Sequence, residues 1–121
     1  NFSSFINEFD NDTIVFNALH GGDGENGQIQ SYLSHHNIPY TGSDATASML
    51  AMNKHFTKII AHENNVLTPN WLSVNLNNSD RSKVLSYKSN KFKCPVVVKP
   101  NFQGSTLGLS IVDNVDGIKG F

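Results

Sequence analysis

The sequence predicts an α/β fold in its first half and a small α+β unit in its second half. Residues 13–19 are mostly apolar and rich in β-formers, which is typical of a buried strand. Residues 25–36 then carry apolar side chains at helical spacing, and a proline favours an extended segment over residues 38–40. This alternation indicates an α/β domain. Residues 95–99 and 109–112 are two further predicted strands, and the short loop between them indicates an antiparallel pair.

Four more elements are predicted between these strands. They are a helix over residues 45–52 that Ser43 or Asp44 can cap, a helix from about Asn53 with Phe56, Ile59 and Ile60 on one face, an extended segment over residues 67–74, and a helix over residues 80–91. The change of pattern places a domain boundary near Met52, which divides the chain into residues 1–52 and residues 53–121.

Composition excludes several classes of function. The 121 residues carry a net charge of −1 without a basic run, so nucleic acid is not an expected partner. No apolar run approaches the roughly 20 residues that cross a bilayer, so no membrane partner is expected either. Cys94 is the single cysteine, which fits a reducing compartment, and we interpret it as a small core side chain.

Residues 20–27 contain four glycines between a predicted strand and a predicted helix. His20 would lie at the carboxyl end of a parallel strand, where open α/β sheets bind ligands, and Glu25 could orient its imidazole. A solvated loop histidine and a glutamate that complements the helix dipole explain the same residues about equally well. The spacing of Gly22, Gly24 and Gly27 also matches a dinucleotide fingerprint, but the glycines lie too far past the strand.

Two lysines could bind phosphate. Lys54 opens a helix, where a cation opposes the helix dipole unless an anion is present; solvation alone also explains it, and we interpret Lys58 as solvated. Lys99 ends an apolar strand and precedes a loop, residues 101–108, that carries two hydroxyl groups between glycines. Glycines let backbone N–H groups approach phosphate oxygens, so this segment favours nucleotide binding over a simple hairpin turn.

Taken together, these residues resemble the D-alanine–D-alanine ligases of the ATP-grasp superfamily. The matching stretches keep the family's order from about residue 13 to residue 113: residues 19–21, 24–27, 29–30, 38–43, 47–54, 57–58, 69–71, 95–100 and 104–108. The resemblance implies a partial Rossmann-like N-terminal domain in residues 1–52 and the start of an ATP-grasp domain in residues 53–121. Asn53 departs from the family's usual aspartate, and Thr106 departs from its commoner serine.

The resemblance also implies roles for individual residues. The catalytic set would be His20 near the reacting D-alanine, Glu25 supporting it, and Ser105 linking the loop to the amino-acid site. ATP phosphates would be held by Lys54, Lys99, Gly104, Ser105, Thr106 and Gly108. The implied reaction phosphorylates one D-alanine carboxylate, and a second D-alanine attacks the acyl phosphate to give the dipeptide used in peptidoglycan.

Further expectations come from the family alone. ATP and Mg²⁺ are the expected cofactors, D-alanine the substrate, the bacterial cytoplasm the location and a homodimer the assembly. The ligands of Mg²⁺ are expected outside these 121 residues, so we predict that this chain alone is inactive and binds no magnesium tightly. The alternatives are another ATP-grasp carboxylate–amine ligase, a non-catalytic nucleotide-binding module and a dinucleotide-binding oxidoreductase.

Overall fold

The computed structural model describes residues 9–10, 12–75 and 93–114. The chain divides into two compact units, of which the first ends at Asn53 and the second begins at Lys54. The predicted helix over residues 80–91 lies outside the described residues.

Two α-helices form the frame of the first unit, α1 (Gln28–His35) and α2 (Ala45–Met52). Helix α2 has the predicted bounds, because the Asp44 Oδ1 atom accepts a 2.7 Å hydrogen bond from the N–H of Ala47 and so caps its first turn. Helix α1 ends before Asn37, which takes a left-handed conformation with φ of 58°.

The segment before α1 pairs in parallel with the segment after it. Val15 and Tyr40 form a parallel bridge, in which the Val15 N–H donates to the Pro39 carbonyl at 2.8 Å and the Thr41 N–H donates to the Val15 carbonyl at 3.0 Å. Two extended segments joined through a helix confirm the α/β prediction for this half of the chain.

Two predictions for the first unit are wrong. The segment over residues 13–19 is not buried, since Ile14 is 69% and Phe16 77% exposed, and no element among the described residues covers these side chains. Helix α1 begins at Gln28 rather than at Glu25, because Gly22–Gly24 form a 3-10 turn that takes Glu25 as its C-cap residue.

The second unit contains helix α3 (Lys54–Glu63) and strands β1 (Val96–Val98) and β2 (Ser110–Val112). The strands pair antiparallel with Val97 opposite Ile111, which confirms the predicted pair. Residues 67–74 form no ladder with any strand in the described part of the chain. Side chains hold this segment to α3 instead, including a 2.9 Å bond from Trp71 Nε1 to His55 Nδ1.

Few side chains of the described residues are fully enclosed. Leu33 of α1 is completely buried and Val112 of β2 is 6% exposed, so each unit has its own small apolar centre. Cys94 is half-buried and forms no disulfide. None of the described helices has the length and apolar character needed to cross a membrane.

Candidate functional site

His20 and Glu25 meet above the glycine turn of the first unit. The His20 Nδ1 atom lies 3.1 Å from the Glu25 Oε1 atom, so the contact predicted from the sequence is present. The His20 side chain is 81% exposed, and that of Glu25 is 37% exposed. An exposed pair of this kind contributes little to stability, which leaves the orientation of the imidazole as its main physical effect.

The backbone of the glycine turn brings these two side chains together. Gly21 and Gly22 have φ values of 75° and 48°, a conformation that costs least at glycine. Gly24 is buried against Leu19, and a Cβ atom at position 24 would lie 2.9 Å from the Leu19 carbonyl oxygen. The chain therefore reverses within a few residues, which returns Glu25 to the side of His20.

Two side-chain amides donate hydrogen bonds to the carbonyl oxygen of Gly24. Asn17 Nδ2 donates to the Gly24 oxygen at 2.9 Å, and Gln30 Nε2 donates to the same oxygen at 2.8 Å. Asn17 has no predicted site role from the sequence, and Gln30 enters the sequence prediction only as part of a matching stretch. The signal in the sequence that could have identified Gln30 is a polar residue at a helix position otherwise suited to the core.

In the second unit, Lys54 connects the start of α3 to the loop after β1. Its Nζ atom donates to the carbonyl of Asn101 at 3.2 Å and also to the carbonyl of Gln103. The backbone N–H of Lys54 donates to the Asn101 carbonyl at 3.2 Å, and the N–H of His55 donates to the Asn101 Oδ1 atom at 2.9 Å. Asn101, which the sequence analysis missed, thus satisfies two N–H groups of the first turn of α3.

Lys99 directly follows β1, and its charge acts on Lys54. Burial lowers the pKa of Lys54 below the ordinary lysine value, and repulsion from the Lys99 ammonium lowers it further. Among the described residues, the ion pairs with carboxylates all involve histidine, so no described carboxylate neutralises Lys54 or Lys99. A positive charge at a helix start that no described carboxylate neutralises favours the binding of an anion.

The loop after Lys99 contains a turn that is unfavourable for its residues. Ser105 and Thr106 have φ values of 50° and 65°, and the Leu107 N–H donates to the Gly104 carbonyl at 3.0 Å. Both central φ values are positive, as in a type I′ turn, which usually contains glycine, asparagine or aspartate. A β-branched residue there carries strain, so the two hydroxyl groups are held at a conformational cost.

Gly108 lies at the end of the same loop, close to the segment from which the loop begins. Its φ is 68°, and a Cβ atom at this position would lie 2.7 Å from the Cγ atom of Pro100. The loop therefore returns to the residue next to Lys99. The structure thus joins Lys54 to Asn101 and Gln103 of this loop, while His20 and Glu25 meet in the first unit.

Lys58 is not the solvated charge that the sequence predicts. Its Nζ atom donates to Thr68 Oγ1 at 2.7 Å and to the Pro69 carbonyl at 2.9 Å, and it lies 5.4 Å from the centre of the Trp71 ring. Burial, and then repulsion from Lys99, lower its pKa. The prediction failed because residues 68–71 return to α3 after the helix ends, and helical spacing does not reveal that contact.

The charges around Lys54 predict a specific titration behaviour. We expect the Lys99→Met substitution to raise the pKa of Lys54 but to leave it below the ordinary value of 10.5, because burial is the larger cause of the shift. In the wild-type chain, the unfolded state binds more protons than the folded state between the lowered pKa and 10.5. The contribution of Lys54 to stability therefore rises with pH across that window.

Side-chain NMR of the lysine ammonium groups measures this shift directly. Lys58 serves as an internal comparison, since its pKa should also rise on removal of Lys99, again without reaching the ordinary value. An unchanged titration of Lys54 in the Lys99→Met variant would contradict the proximity of the two ammonium groups.

Comparisons of sequence and of fold with known proteins identify the same family. Residues 2–43 match the family model described as D-ala D-ala ligase N-terminus. A D-alanine–D-alanine ligase of Coprothermobacter proteolyticus is 45% identical over 100 residues, which is 81% of this chain and 32% of that protein. The ligase of Pelagibacter ubique is 39% identical over 98% of this chain and 38% of that protein. This chain belongs to the D-alanine–D-alanine ligase family.

A solved member of this family has the same fold. The crystal structure of D-alanine–D-alanine ligase from Helicobacter pylori superposes with a TM-score of 0.76 at 34% identity, covering 87% of this chain and 31% of that one. The chain thus spans about a third of the length of the D-alanine–D-alanine ligases it matches.

Proposed function

We propose that this chain is part of an ATP-dependent ligase that joins two D-alanines through an acyl phosphate, for peptidoglycan synthesis. In this proposal, residues 1–52 belong to a Rossmann-like N-terminal domain on the substrate side, and residues 53–121 begin an ATP-grasp domain. The names of the relatives support the substrate. The main support for nucleotide binding is the pair of ammonium groups, Lys54 and Lys99, beside a strained loop with two hydroxyl groups.

The residues of the second unit fit the triphosphate of ATP. Lys54 and Lys99 would neutralise phosphate oxygens, and the repulsion between them would turn into attraction towards a shared anion. Gly104, Ser105, Thr106 and Gly108 would cover the phosphates with N–H and hydroxyl donors. Phosphoryl transfer depends mainly on such positioning and charge neutralisation, which are what these residues can supply.

The residues do not fit a magnesium site in the same way. No group of three or more His, Cys, Asp or Glu side chains that could hold a metal occurs among residues 9–10, 12–75 and 93–114. We therefore assign no step to Mg²⁺ through the described residues. Its ligands are expected elsewhere in the ligase.

The pair in the first unit would act on the amino acid. Glu25 would hold the His20 imidazole through the Nδ1 atom and so orient the ring at the amino-acid site. Ser105 would connect the phosphate loop to the amino-acid site. A homodimer and a cytoplasmic location remain predictions from the family.

The decisive experiment uses protein expressed from the longest reading frame that contains this sequence. Release of inorganic phosphate from ATP should depend on D-alanine and should be accompanied by D-alanyl-D-alanine. L-alanine is the matched control, and D-lactate or D-serine offered with D-alanine identifies the second substrate. ATP binding without any D-alanine-dependent phosphate release would instead favour the non-catalytic nucleotide-binding module.

A further inference from the structure

The side chain of Asn17 contacts the backbone on both sides of the glycine turn. Its Nδ2 atom donates to the Gly24 carbonyl at 2.9 Å, and its Oδ1 atom accepts from the Leu19 N–H at 3.2 Å. Leu19 directly precedes His20, and Gly24 directly precedes Glu25. One amide therefore ties together the two backbone positions from which the His20 and Glu25 side chains begin.

The peptide group between Gly24 and Glu25 is held at both ends. Its carbonyl oxygen accepts from Asn17 Nδ2 and, at 2.8 Å, from Gln30 Nε2, which uses both of its lone pairs. Its N–H group, which belongs to Glu25, donates to the Gly22 carbonyl at 3.1 Å. With the plane of this peptide fixed, the position of the Glu25 Cα atom, from which the side chain begins, is fixed as well.

Gln30 makes this bond at an evident cost to stability. The residue is 5% exposed, and its Oε1 atom is buried without a hydrogen-bond partner among the described residues. An unsatisfied buried acceptor is unfavourable, and an apolar side chain of similar size would avoid the cost. A group kept in the core despite such a cost calls for an explanation other than packing.

The exposed ion pair needs this support. The His20 side chain is 81% exposed and that of Glu25 is 37% exposed, so solvent competes with the contact between them. A loosely held pair would lose the orientation that makes its imidazole useful. Rigid backbone below the pair supplies the positional definition that the ion pair itself lacks.

We propose that Asn17 and Gln30 are positioning residues of the amino-acid site, which act on the His20–Glu25 pair through the carbonyl of Gly24. This inference rests on the proposed ligase function. Both amides set the apparent affinity for D-alanine and leave the affinity for ATP unchanged, because their hydrogen bonds run to the glycine turn and not to the residues proposed to bind phosphate.

The test is a double-mutant cycle in protein expressed from the longest reading frame that contains the chain. Gln30→Met removes the donor and keeps the volume, and Glu25→Gln removes the charge of the pair. We expect Gln30→Met to raise the KM for D-alanine about 5- to 20-fold with the KM for ATP unchanged. In the Glu25→Gln background the same substitution should raise it less than about twofold, since the partner through which Gln30 acts is lost.

If Gln30→Met does not fold, Asn17→Asp replaces it in the double-mutant cycle. The aspartate keeps an oxygen for the Leu19 N–H but offers no donor to Gly24, and it should reproduce the same pattern. Asp44→Ala is the matched stability control, because it removes the cap of α2 without touching the turn. It should lower the Tm and leave the KM for D-alanine unchanged.

The possible results distinguish a failure of the positioning role from a failure of the ligase function. Additive effects of Gln30→Met and Glu25→Gln on the KM for D-alanine, or equal rises in the KM for ATP and for D-alanine, would overturn the positioning role while the ligase function stands. A wild-type protein without D-alanine-dependent phosphate release would overturn the ligase function and this inference with it.

Discussion

Replacing Gly27 with alanine should strongly destabilise the first unit of the structure. Gly27 is buried with φ of 93°, and a Cβ atom there would overlap the carbonyl oxygen of Ala45 at the start of α2. The substitution strains the left-handed backbone, and its Cβ atom also clashes with a backbone carbonyl that cannot move as a flexible side chain can. The combined cost should be about 3–5 kcal/mol. The expected result is a large fall in Tm, measured by circular dichroism.

Gly42→Ala is the matched control for that substitution. Gly42 has a similar φ of 107°, but a Cβ atom at position 42 would meet no described atom within 4 Å. It carries the backbone strain without the clash and should cost only about 1–2 kcal/mol. Equal losses for the two variants would contradict the close approach of α1 and α2 at Gly27.

The Lys99→Met substitution should have the largest effect on catalysis. The change removes one of two ammonium groups that would share the triphosphate, and it keeps the length of the side chain. Loss of one preorganised charge at a phosphoryl-transfer site is expected to lower kcat/KM about 100- to 1,000-fold. The measurement is D-alanine-dependent phosphate release at varied ATP concentration, with protein from the longest reading frame.

Lys93→Met separates that effect from a general loss of charge. Lys93 precedes β1 on the same segment and is exposed, and its charge is not among the causes of the lowered pKa of Lys54. Its kcat/KM should stay within about twofold of the wild type, as for most surface substitutions. A Lys99→Met variant with the activity of Lys93→Met would argue against Lys99 as a phosphate-binding residue.

Much of the fold follows from local sequence patterns. The cap by Asp44, the left-handed Asn37, the bounds of α2 and the antiparallel pair all depend on residues close together in the chain, and each was predictable. The exposed faces of Ile14 and Phe16 were not predictable, because apolar periodicity shows which face can be buried and does not show what covers it.

The candidate site divides in the same way. His20 and Glu25 are five residues apart, and a glycine-rich turn between them was a sufficient signal for their contact. Asn101 and Lys58 were missed because their partners are distant in sequence: Asn101 bonds to the start of α3, and Lys58 bonds to a segment past the end of that helix. No spacing rule for a single element reports such contacts.

The bonds from Asn101 to α3 also bear on the order in which the second unit forms. The acceptor for the N–H of His55 lies 46 residues later in the chain, so the first turn of α3 stays incomplete until that later part has been synthesised and has folded back. Closing such a long loop is slow compared with forming a helix turn. During translation, α3 should therefore fray at its beginning and tighten only when Asn101 arrives.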